Sequence, residues 1–189
     1  CDLLIMNGPT SDLTDDEIKV LQNYMNNGGK IICLLAYTDK SMSHLYGFLK
    51  DYGMTVSDGY IADTERCYQG NYYYLIPNVT ASGDMASGMT SNSVLLVNSK
   101  GLTVSDPDDD SITTESFMTT SKNGYDITEK GQTQGTYTLG ATAEQTVSVK
   151  NKDGDEEDTE SRLTVYGSNM LIDEQLTSSF SNLENLTLF

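Results

Sequence analysis

Residues 13 to 35, LTDDEIKVLQNYMNNGGKIICLL, announce a helix followed directly by a strand. Thr14 and Glu17 stand three residues apart as a capping box, in which each side chain satisfies an unpaired amide of the first turn. Leu13 and Ile18 are spaced as a hydrophobic staple. A helix is therefore predicted from Asp15. Ile18, Leu21 and Met25 repeat on one face, Asp15 and Asp16 sit where the helix dipole favours negative charge, and Asn27, Gly28 and Gly29 supply a left-handed stop near Asn27. Ile31 to Ala36 is then continuously apolar, the habit of a strand covered on both faces in a parallel sheet.

Working outward, DLLIMN reads as an earlier strand that ends in the Asn7-Gly8-Pro9-Thr10 turn, so strand, helix and strand form a βαβ unit. A second helix is predicted from about Ser43 to Tyr52, with Leu45, Phe48, Leu49 and Tyr52 inward and Gly53 as its stop. Short strands are expected at Met54 to Val56, Tyr60 to Ala62, Tyr72 to Ile76, Val94 to Val97 and Ser116 to Thr120. Tyr137 to Val149 alternates loosely, and with Arg162 to Tyr166 it suggests a hairpin whose tip is the acidic run Asp153 to Glu160. Leu171, Ile172, Leu176 and Phe180 suggest a final helix. The expected fold is α/β: a mostly parallel sheet flanked by helices, flavodoxin-like or amidotransferase-like, with a C-terminal β-hairpin, spanning residues 1 to 189 as one domain.

The 189 residues are 37% hydrophobic, enough to bury a substantial core. Eleven basic residues against 28 acidic ones give a net charge of −17. That charge repels phosphate backbones, so nucleic acid is not an expected partner. No run approaches the roughly 18 apolar residues of a spanning helix, and the chain reads as an excised soluble piece of a larger protein. Cys1, Cys33 and Cys67 form neither a disulfide framework nor a zinc pattern.

A nucleophilic hydrolase requires Cys or Ser on a sharp strand-to-helix turn with a histidine in reach. Cys33 lies inside the predicted strand between Ile32 and Leu34, as an inert core thiol does. His44, the only histidine, opens the second helix with no partner indicated by spacing. Asp106, Asp108 and Asp110 begin like a calcium loop, but Ser111 replaces the turn glycine and Phe117 stands where the closing glutamate belongs. Asp153, Asp155, Glu156, Glu157 and Asp158 read as a solvated hairpin tip. Tyr68, Tyr72, Tyr73 and Tyr74 read as core or rim packing, and the sequons at Asn78 and Asn185 carry no weight. No catalytic, metal or cofactor site is expected.

Open parallel sheets bind ligands at the carboxyl ends of their strands. Asn7 and Thr10, then Tyr37, Thr38 and Asp39, then Ser168 and Asn169 occupy three turns expected to converge there. Rich in small polar groups and poor in titratable ones, they suit a neutral ligand or a partner loop.

The order of motifs resembles the auxiliary proteins of ABC transporters that include the gliding-motility protein GldG. In that family a hydrophobic strand ends in a Gly-Pro turn, an acidic capped helix follows, and a Gly-Gly-Lys precedes a second strand. The matching stretches here are DLLIMNGP, LTDDEIKVLQNYMNNGGK and IICLLAY. FLKDYGMTVSDGYIAD, FMTTSKNGYDIT and SRLTVYGSNMLIDE resemble its later motifs, with Ser168 where the family often carries an acidic residue. The resemblance implies a noncatalytic extracytoplasmic domain, tethered to the cell membrane by helices outside this chain, with the permease and ATPase subunits as partners. Two other readings remain: a hydrolase or amidotransferase relative acting through Cys33 or a serine near Ser168, and a calcium-dependent adhesion module using the acidic clusters.

Overall fold

The computed structural model describes residues 1–150, 154–180 and 182–189. Its first elements are β1 (Leu4–Asn7), α1 (Asp15–Met25), β2 (Lys30–Leu34) and α2 (Ser43–Asp51). Glu17 N–H donates to Thr14 Oγ1 at 3.3 Å and Thr14 N–H donates to Glu17 Oε2 at 2.8 Å, so α1 starts where the capping box places it. Its regular turns end at Met25, two residues before the predicted stop. Gly28, at φ +79°, then reverses the chain into β2. Leu13 and Ile18 both pack on the core beneath the helix.

The remaining strands are β3 (Met54–Val56), β4 (Tyr60–Asp63), β5 (Cys67–Tyr68), β6 (Asn71–Leu75), β7 (Asn78–Val79), β8 (Leu96–Val97) and β9 (Leu102–Val104). They continue with β10 (Ile112–Thr119), β11 (Gly124–Thr128), β12 (Gly131–Gly135), β13 (Thr138–Lys150) and β14 (Glu156–Tyr166), before α3 (Glu174–Ser179) and α4 (Asn185–Leu188). The main sheet runs β1-β2-β14-β13-β10-β7, with β9 joining β13 to β3. Two small sheets, β12-β11-β4 and β5-β6-β8, lie beside it.

The expected fold class is overturned. Only β1, β2 and β14 run parallel, while β13, β10, β7, β9 and β3 all pair antiparallel, as do both small sheets. The physical reason is connectivity. A parallel pair requires a crossover of a dozen residues or more, and the consecutive pairs β5-β6, β11-β12 and β13-β14 are joined by connections too short for one. Nor do long helices flank the sheet on both sides. α1 and α2 cover one face over Ile31, Cys33, Leu163 and Val165. The other face, around Leu34, Phe117, Leu139 and Tyr166, is covered by β8, α4 and the single 3-10 turns at Gly83–Ala86 and Asn169–Ile172.

The apolar stretch from Ile31 does lie between two parallel neighbours and is buried on both faces. Its local reading was correct for three strands and did not extend to the rest. Glu156 to Glu160, expected in a hairpin tip, belong to β14 itself and pair with β13. Asp153 of that run lies outside the described residues.

Candidate functional site

Two of the three predicted turns, 7–10 and 168–169, meet beside the end of the strand that leads to the third. Gly8 N–H donates to Leu34 O at 2.9 Å, Leu35 N–H to Tyr166 O at 2.9 Å, and Asn169 N–H to Leu35 O at 2.8 Å. The carboxyl ends of β1, β2 and β14 are thereby stitched into one surface. Gly8 has φ +63°, and a Cβ there would stand 2.6 Å from the Asn169 amide nitrogen, so only glycine lets these turns close.

The individual residues divide into committed and available groups. Ser168 is buried: its Oγ donates to Val97 O at 2.6 Å and accepts from Met170 N–H at 3.1 Å, which makes it the cap of the following 3-10 turn. The Thr38 backbone is clamped on both sides by one phenol, since Tyr60 O–H donates to Thr38 O at 3.0 Å and accepts from Thr38 N–H at 2.9 Å. Asn7, Thr10, Tyr37 and Asp39 are exposed. Tyr37, 66% exposed, stacks on Tyr60 with centroids 4.5 Å apart at 22°.

Beneath that stack lies a buried cation absent from the sequence expectations. Lys100 Nζ sits 4.6 Å from the Tyr60 centroid. Because Tyr37 covers one face of the ring at similar height, the ammonium takes the other. It donates to the carbonyls of Ser57, Asp58 and Gly59 at 3.1, 2.7 and 3.0 Å. Burial pushes its pKa down, against the pull of Asp126 and Asp58. Asp126 is pushed up by its own burial, and its Oδ1 has no hydrogen-bond partner by geometry. A lone lysine inside the apolar run VLLVNSKGLTV was the available signal.

Cys33 is fully buried and burial pushes its thiol up to about 12, so the thiolate needed for attack is not formed near neutrality. His44 has partners that linear spacing hid. Its Nδ1 lies 2.9 Å from Asp12 Oδ2 and its Nε2 lies 3.3 Å from Asp15 Oδ1. Asp12, in the loop before α1, caps α2 from outside: it accepts from Ser43 Oγ, His44 N–H and Leu45 N–H at 3.1, 2.9 and 3.1 Å. Burial opposes ionisation of Asp12, but the His44 and Leu45 amides, the His44 ring and the Ser43 hydroxyl outweigh it and hold the carboxyl well below its usual range.

A folded pKa below the unfolded value means that the unfolded chain binds more protons in acid. The stability Asp12 contributes is therefore complete above about pH 5 and is lost as pH falls. Asp12→Ala is expected to cost about 2 kcal/mol at neutral pH, or roughly 6 °C in Tm, and to flatten the acid-side decline. Thermal melts from pH 7 to pH 3 check this; an unchanged Tm and slope would mean that α2 does not depend on this cap.

Of the tyrosine cluster, Tyr68 and Tyr74 pack on the core of the small sheet, with Tyr68 edge-on to Phe180 at 5.1 Å, while Tyr72 and Tyr73 are exposed. Asn185 is fully buried and hydrogen-bonded to Leu95 and Leu171, which closes that sequon to a glycan. Asp106, Asp108 and Asp110 are exposed in the loop before β10.

No family model and no curated protein matches the chain. Among solved structures it is similar to one described as "mmIFT52 N-terminal domain", with a TM-score of 0.60 and 18% identity, covering 99% of this chain and 73% of that one. At that identity the likeness is one of fold.

Proposed function

We propose that this chain is a noncatalytic recognition domain of an ABC-transporter auxiliary protein of the gliding-motility type, displayed outside the cytoplasm, and that it binds a partner subunit or an exported ligand through the strand-end surface. One observation carries the reading. The Ser168 hydroxyl and the Thr38 backbone of that surface are consumed by internal bonds, while a stacked aromatic, Tyr37, is left exposed. An ordered aromatic among short polar groups binds by contact area at low entropic cost, and offers no poised proton donor or acceptor.

The motifs behind the resemblance support the same reading by meeting in space. Asp63 of DGYIAD accepts from Ser121 of FMTTS, and Asn169 of YGSN donates to Leu35 of IICLLAY. Among the described residues no helix is long and apolar enough to cross a membrane.

The test is an affinity pull-down of the full-length protein from its native cells, with mass spectrometry of what is retained. The wild type is expected to recover a permease and its ATPase, and Tyr37→Ser to lose them while its stability changes by less than about 0.5 kcal/mol. Recovery by the variant as well would remove the strand-end surface from the proposal. Absence of transporter subunits from the wild type would remove the transporter assignment.

A further inference from the structure

The main sheet ends on β1, which bonds to β2 alone. Gly8 N–H donates to Leu34 O, so at a spacing of two the parallel ladder also takes the backbone groups of Met6 and Leu4. The amides and carbonyls of the residues between them, Leu3, Ile5 and Asn7, therefore point away from β2. Leu3 O accepts from the Cys1 thiol at 3.0 Å. Among the described residues, the outward groups of Ile5 and Asn7 have no hydrogen-bond partner in the chain.

The side chains repeat the pattern. Leu4 and Met6 pack on the core beneath α1, so alternation sends Leu3 and Ile5 to the other face, where they stay 44% and 45% exposed. Ile5 lies opposite Ile32, which is only partly buried on that face. An open backbone edge is thus joined to an apolar strip. Proteins blunt such edges with proline, charge or very short strands. β7 is two residues long behind Pro77, β3 is three residues long, and β12 presents Gly-Gln-Thr-Gln-Gly without an apolar side chain. Leu3 to Asn7 is longer than β7 or β3 and contains neither proline nor charge.

The backbone states what fits. Outward amide and carbonyl groups two residues apart match a further extended strand, and apolar side chains at alternate positions of that strand cover Leu3 and Ile5. Charge decides whose strand it is. Asp2, Asp12, Asp15 and Asp16 flank the edge in sequence with no lysine or arginine before Lys19, and two copies of a chain of charge −17 repel each other. We propose that β1 is an augmentation edge that adds one strand of a partner protein, with alternating apolar residues and basic flanks. Tyr37 takes no part in it, so the proposal holds or fails independently of the strand-end reading.

The probe is a fluorescein-labelled peptide, Lys-Lys-Val-Thr-Ile-Thr-Val-Lys-Lys, followed by anisotropy and by amide hydrogen exchange along β1. Exchange at Ile5 and Asn7 is expected to slow at least about tenfold on binding, while Leu4 and Met6, already bonded to β2, change less than about twofold. Ile5→Pro removes an outward donor that the β2 ladder does not use, and is expected to weaken binding at least about tenfold. Ile5→Lys keeps the backbone donor but sets a like charge against the peptide, and is expected to weaken binding as much. Tyr72→Lys adds the same charge at an exposed position of the small sheet β5-β6-β8 and is expected to change binding less than about twofold. Equal weakening by both lysine variants, undiminished binding to Ile5→Pro, or protection spread evenly over β1 would reduce the effect to diffuse attraction and overturn the proposal. Protection of Ile5 and Asn7 that rises with protein concentration in the absence of peptide would overturn it in favour of a second copy of this chain.

Discussion

Asp63→Ala is expected to destabilise the protein by about 4 kcal/mol, a large share of the roughly 5–15 kcal/mol a domain has. Asp63 is 1% exposed at the end of β4, yet its carboxylate is fully engaged. Oδ1 accepts from the amides of Glu65 and Arg66, both at 2.9 Å, and from Ser121 Oγ at 2.8 Å, while Oδ2 accepts from Ser121 N–H at 2.7 Å. Burial raises its pKa, but the Arg66, Ser121 and Glu65 amides and the Ser121 hydroxyl prevail and hold it below the usual carboxylate range. Alanine strands those donors in a place water does not reach. Asp63→Asn keeps the size but turns one acceptor into a donor facing donors, and is expected to cost nearly as much. Urea denaturation of both variants checks this. A loss below about 1 kcal/mol for alanine would mean that the turns around Asp63 find other partners.

Lys100→Met is the second large effect, expected at about 3 kcal/mol. Methionine fills the aliphatic channel but donates nothing to the three carbonyls of Ser57, Asp58 and Gly59, and it strips buried Asp126 of its neighbouring cation. Lys100→Arg is expected to fare little better, because a planar fork does not reproduce three donors converging from one nitrogen. The consequence reaches the strand-end surface. Once the 57–59 turn loosens, Tyr60 loses its anchor and the Thr38 amide loses the phenol that protects it. Hydrogen exchange at Thr38 is expected to quicken beyond what global destabilisation explains. Slowed or unchanged exchange there, with a lowered Tm, would separate the lysine from the surface it supports.

The two anchors differ in how visible they were. Asp63 closes the stretch DGYIAD and Ser121 closes FMTTS, both singled out as motifs, but nothing in either indicated that one would hold the other across 58 residues. Lys100 carried no motif. Nothing local marks Asp12 either, and its role as the cap of α2 depends on α1 and α2 packing side by side. His44 was read without a partner because its partners come from that same packing.

The chain's own order of residues determined α1, its capped start and the β1-α1-β2 unit, because these rest on contacts within a few residues or on one crossover. The sheet as a whole was decided by tertiary structure. A strand's apolar run records that it is covered, not which neighbour covers it, and the direction of a neighbour depends on the length of chain that connects the two. The long β13 and β14 ladder and the short turns beyond α2 therefore made a mostly antiparallel molecule out of a sequence whose clearest segment is parallel. The same holds for charge: an aspartate's letter does not say whether it will be a cap, a buried anchor or a free rim, and here Asp12, Asp63 and Asp106 became one of each through the donors that folding brought to them.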